Sequence, residues 1–117
     1  MESLFEKYGG FAKVSKIVPE LYNRVLDDDD LGPFFDDVDM TRVMDHQTKF
    51  ISSLMGGPVT YSDEQIQRMH KHLAISGSHF ERLKEILSET LTDHGLSNEG
   101  ADKIVAHFEQ RRAMVVD

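Results

Sequence analysis

Apolar residues return along this chain at steps of three and four, the spacing of one face of a helix. Phe11, Val14, Ile17, Val18, Leu21, Tyr22, Val25 and Leu26 make one such stripe, roughly four turns of helix. Pro19 falls inside it and removes one backbone donor, while Gly9-Gly10 permits a sharp turn from a short helix near Ser3 to Lys7. Val43, Gln47, Phe50, Ile51 and Leu54 predict a second long helix, from about Met40 to Leu54, which Gly56-Gly57-Pro58 ends. Ser62-x-x-Gln65 and Ser78-x-x-Glu81 both have the form of a capping box. The first opens a short helix bearing Ile66, Met69, His70 and Leu73, and the second a longer one bearing Phe80, Leu83, Ile86, Leu87 and Leu91. His94-Gly95 punctuates that helix, and Ser97 caps a last one with Ile104, Val105 and Phe108. No segment alternates strictly enough for a strand, and no repeat or linker interrupts the series. The expectation is an all-α chain with one domain over residues 1–117, built of five to seven helices.

The run Asp27-Asp28-Asp29-Asp30, followed by Gly32-Pro33, stops the first long helix. Its spacing is not that of a calcium loop, and no glutamate follows where such a loop needs one, so it reads as solvated. A net charge of −8 speaks against a general nucleic-acid binder, which needs a basic face for phosphates, and against adhesion to anionic membranes. The apolar runs are too short to span a bilayer, and the first residues lack the basic and apolar regions of a secretory signal. With no cysteine, disulfides, thiolate metal sites and thiol nucleophiles are excluded; a cytoplasmic setting is expected.

Six histidines turn attention to metal or haem chemistry. His70 follows Ile66 by four and precedes Leu73 by three, so it points inward if they do. His46 stands at the edge of its stripe, between Val43 and Phe50. His72 lies about 200° round from His70, so the two do not chelate together. An inward histidine is either a hydrogen-bonded core residue or a ligand, and residue spacing alone leaves both open. Zinc needs three or four convergent ligands, commonly HExxH or a Cys/His set, and neither occurs. There is no nucleophile elbow, and no glycine-rich loop of nucleotide-binding form.

Several segments together resemble group 1 truncated haemoglobins over nearly the whole chain. They are Leu4-Phe5-Glu6-Lys7-Tyr8-Gly9-Gly10, Leu21-Tyr22-Asn23-Arg24-Val25-Leu26 and Phe34-Phe35-Asp36-Asp37-Val38-Asp39-Met40. His46-Gln47 with Phe50, Gly56-Gly57-Pro58, His70 and His79-Phe80 follow in order. The resemblance implies a shortened globin fold, a two-over-two helical sandwich around haem. It implies that His70 is the proximal iron ligand, with Met69 and Leu73 beside it. Phe35 corresponds to the aromatic residue wedged against the haem edge, and Phe50 and Leu54 line the interior. On the distal side the family pattern puts Tyr22 and Gln47 as hydrogen-bond donors to bound dioxygen, with Val43 an apolar neighbour. His46 is a possible sixth ligand. Some relatives carry a histidine on the last helix that bonds covalently to a haem vinyl group. Gln110 stands at that place, and His107 is a remote substitute, so non-covalent haem b is expected.

The function implied is reversible binding of O₂, CO and NO, for oxygen binding or transport. Two alternatives use the same cofactor. One is oxidation of nitric oxide to nitrate with an external reductase; the other is a bis-histidyl redox or sensor protein, with His46 on the iron. A monomer is expected, with no nucleic-acid or membrane partner.

Overall fold

Side-chain caps set where several of the helices start. The computed structural model of the chain describes residues 3–58, 62–70 and 75–116. Ser3 caps α1 (Leu4–Lys7) by accepting the Glu6 N–H, and the left-handed Gly9 (φ 105°) turns the chain into α2 (Gly10–Asp27). A single 3₁₀ turn over Gly32–Phe35 follows. Asp39 caps α3 (Met40–Leu54) by accepting from Thr41 and Arg42, and Ser62 and Gln65 exchange the two bonds of a capping box at α4 (Asp63–His70). Then come α5 (Gly77–Asp93), α6 (Asn98–Glu109), capped by Ser97, and α7 (Arg112–Val115). Among the described residues there is no strand.

The expected start of α5 is displaced. Ser76, not Ser78, is its N-cap, and the reciprocal partner is His79, whose Nδ1 accepts from the Ser76 N–H at 3.2 Å. A histidine nitrogen takes the place that Glu or Gln usually fills, so a search for S-x-x-E finds the wrong pair. Ser78 lies in the first turn, with its hydroxyl 3.0 Å from that of Ser76.

The stripes read in the sequence become the core. On α2, Val14, Ile17, Val18, Leu21, Tyr22 and Val25 are buried, while Phe11 and Leu26 at the two ends of the stripe stay exposed. Pro19 faces solvent, where water can serve the Ser15 carbonyl that loses its donor. Helices α2 and α3 pack as one pair, α5 and α6 as another, and α2 against α5 joins the pairs. Phe50, Ile51 and Leu54 of α3 meet Phe80, Ile86, Leu87 and Leu91 of α5 and Ile104 and Phe108 of α6 in one apolar core.

Helix α1 is tied across the far end of this sandwich. The Phe5 N–H donates to the Met55 carbonyl beyond α3 at 2.9 Å. The Tyr8 hydroxyl accepts from the Ser97 N–H at 3.3 Å. No helix among the described residues is long and apolar enough to cross a membrane.

Candidate haem site

Between the two helix pairs lies a small cleft. Helix α2 contributes Leu21 and Tyr22; α3 contributes Gln47, Phe50, Ile51 and Leu54; α5 contributes Leu83 and Leu87; and α6 contributes Phe108. All but Tyr22 and Gln47 are purely apolar.

Those two polar groups are unusual in what they lack. Tyr22 is 7% exposed, and burial pushes its hydroxyl well above the usual tyrosine range, so it stays protonated as a donor. Among the described residues neither the Tyr22 hydroxyl nor the Gln47 amide has a hydrogen-bond partner. Both residues line the cleft, where a bound molecule can pair them. The rings of Tyr22 and of Phe35, at the end of the 3₁₀ turn, meet nearly at right angles with centroids 5.6 Å apart.

The remaining expected site residues are not all part of this cleft. Phe50 and Leu54 are in its wall. Val43 and His46 are half-buried on α3 and do not line it. His70 and Met69 end α4, four and three residues after the buried Ile66. The side chains of Met69 and His70, and all of Leu73 and His72, lie outside the described residues. Leu21, Ile51, Leu83, Leu87 and Phe108 were legible as core, but nothing in the sequence marks which core residues face a cleft.

The outer wall is braced by charge. Arg112 pairs with Glu109 at 2.7 Å and with Glu81, and Lys84 joins both carboxylates at 3.2–3.3 Å. The Arg112 guanidinium lies 4.7 Å above the Phe80 ring, which stacks on Phe108 at 4.6 Å. The α5–α6 side of the cleft is therefore backed by an ion-pair cluster. First Arg112 and then Lys84 hold the Glu109 carboxyl down to about 2.

Among the described residues no three histidine or carboxylate side chains converge on a bare metal ion. A mainly apolar cleft lined by one tyrosine and one glutamine suits a different group: iron held in an apolar macrocycle. Comparison with known proteins agrees. Residues 3–116 match the model of the bacterial-like globin family. The chain belongs to the group 1 truncated haemoglobins. A group 1 truncated haemoglobin of Synechocystis sp. is 34% identical over 91% of this chain and 89% of its own length. One from Tetrahymena thermophila is 33% identical over 90% and 89%. In structure, the 2/2 haemoglobin of Synechococcus sp., in the cyanomet state with covalently attached haem, superposes with a TM-score of 0.90 at 30% identity, covering 98% of each chain. The Fe(III) truncated haemoglobin of Tetrahymena pyriformis gives 0.89 at 29% identity, again over 98% of each chain. The two helix pairs are thus the 2/2 globin sandwich, and truncated haemoglobins are haem proteins that bind diatomic gases.

Proposed function

We propose that this truncated haemoglobin binds O₂, CO and NO reversibly at a non-covalent haem b, with His70 on the iron and Tyr22 and Gln47 facing the bound gas. The observation that carries the reading is the pair of polar side chains, Tyr22 and Gln47, in an otherwise apolar cleft, with no hydrogen-bond partner among the described residues. When bound, haem supplies ferrous iron that takes up diatomic ligands, while the protein sets access, polarity and axial ligation. Met69 and Leu73 accompany His70 on the proximal side, and Phe35 meets the haem edge. Phe50 and Leu54 keep the wall dry, and Val43 leaves hydrogen bonding to Tyr22 and Gln47. Bound O₂ carries partial negative charge on its outer atom, and a protonated Tyr22 hydroxyl suits it as donor. Gln110, exposed at the end of α6, offers no imidazole for a covalent link to the macrocycle. The setting proposed is cytoplasmic and monomeric.

Absorption spectra of the purified protein in ferric, ferrous and CO-bound forms test this reading. A Soret band that shifts on reduction and on CO addition, with all pigment extracted by acidified organic solvent, is the expected result. A chain that takes up no haem on titration refutes it, and pigment that stays with the polypeptide refutes non-covalent attachment.

A further inference from the structure

The run Asp27 to Asp30 reads as a solvated loop, yet one of its members is inside. The Asp28 side chain is 9% exposed, and both its oxygens are engaged. Oδ1 accepts from the N–H groups of Asp30 at 2.9 Å and Leu31 at 3.1 Å. Oδ2 accepts from Arg82 Nε on α5 at 2.7 Å, and that guanidinium holds the Asp28 carboxyl below the usual range. The turn is tight. Gly32 donates its N–H to the Asp28 carbonyl at 2.8 Å, and a Cβ on Gly32 would stand 2.5 Å from the Leu26 carbonyl oxygen. Leu31 is buried on the inner side. The corner between α2 and the 3₁₀ turn is therefore fastened to the core by Leu31 and to α5 by Asp28. At the other end of the turn Phe35 rests on Tyr22.

Tyr22 needs such a fastening. No hydrogen bond to the described residues fixes its hydroxyl, so packing decides where it points, and Phe35 is the ring packed against it. We propose that Asp28 is a positioning residue for Tyr22, acting through the 3₁₀ turn and Phe35 to hold the hydroxyl toward the ligand. The proposal rests on the reading of Tyr22 as donor to haem-bound gas.

Three measurements on the haem-loaded protein test it, with Tyr22→Phe as reference. The infrared CO stretch of the CO complex reads the donor's field. NMR of ¹³C-labelled tyrosine in the same complex reads the Tyr22 ring. Stopped flow gives O₂ dissociation. Asp28→Ala should shift the CO band toward that of Tyr22→Phe and give the Tyr22 ring a second environment. It should speed O₂ dissociation about threefold to tenfold, part of a charge-assisted hydrogen bond. Asp28→Asn keeps an oxygen for the turn but loses the charge facing Arg82. It should shift the band less, in the same direction, and remains readable if the alanine variant does not fold. In a Tyr22→Phe background neither substitution should alter the CO band further. Asp28 variants with wild-type bands and rates, while Tyr22→Phe changes both, overturn the proposal and leave the donor reading intact. Equal effects in the Tyr22→Phe background overturn it too, because the route is then not through Tyr22. If Tyr22→Phe itself changes nothing, the donor reading falls and the proposal with it.

Discussion

Tyr22 and Gln47 share one cleft with no hydrogen-bond partner for either among the described residues, so each should matter to a bound ligand in proportion to the ligand's polarity. Tyr22→Phe is expected to speed O₂ dissociation roughly tenfold or more, the value of a hydrogen bond of about 1.5–3 kcal/mol. CO dissociation, measured in parallel, should change less. Gln47→Leu acts in the same direction, and the two effects need not add. The histidines separate by where their nitrogens go. His70→Ala should abolish the histidine-ligated spectrum. His79→Ala should leave it unchanged, because the His79 ring is committed to Ser76 and packs against Phe34. His46 is half-buried and outside the cleft lining, and its register on α3 is about 100° from Gln47. The ferric protein is therefore expected to be high-spin, with His46→Leu giving the same spectrum. A low-spin wild type converted to high spin by that substitution would place His46 on the iron.

At the scale of the element, caps and ion pairs decide where helices begin and how acid affects them. Ser76→Ala removes the side-chain acceptor at the start of α5, and should cost about 1 kcal/mol in thermal or denaturant unfolding. Ser78→Ala, in the first turn, should cost much less. Acid acts on the α5–α6 brace instead. Glu109 has an ordinary value of 4.5 and is held near 2 in the folded chain. Its ion pairs therefore contribute stability that is complete above pH 4.5 and is lost as the pH falls toward 2. Melting temperatures of Glu109→Gln should fall less steeply than wild type across that window. Glu81, lowered chiefly by the same arginine, keeps a residual slope. The long helices were legible because their stripes are local: Val14 to Val25 needs only a period of 3.6 to be seen. Asp28 was illegible because its decisive partner, Arg82, is 54 residues away and the run around it looks uniformly polar. His79 escaped notice for a chemical reason, since an imidazole nitrogen fills a place where a carboxylate or amide is expected.

For the molecule as a whole, a cleft walled by α2, α3, α5 and α6 ties stability to its contents. A ligand at a hundred times its dissociation constant adds about 2.7 kcal/mol. The haem-loaded protein should accordingly melt well above the haem-free chain, and equal melting temperatures would deny haem a structural part. Phe108 joins that wall to the charged brace through Phe80. The cleft was foreshadowed by the family resemblance and not by the stripes, because hydrophobic periodicity marks burial without saying whether a side chain meets a neighbour or a guest.

The tie between α1 and the end of α3 bears on how the chain frays. Amides near a chain terminus ordinarily exchange with solvent within moments, because local opening there costs almost nothing. The Phe5 amide is different, since its acceptor is the Met55 carbonyl, 50 residues on and next to the buried end of α3. Deuterium can replace that proton only when the junction parts. Its exchange rate should follow that of the last turn of α3, and not that of its neighbours Glu6 and Lys7, which bond back to Ser3 within α1. One backbone proton near the start of the chain thus serves as a clock for separation of the sandwich at its far end.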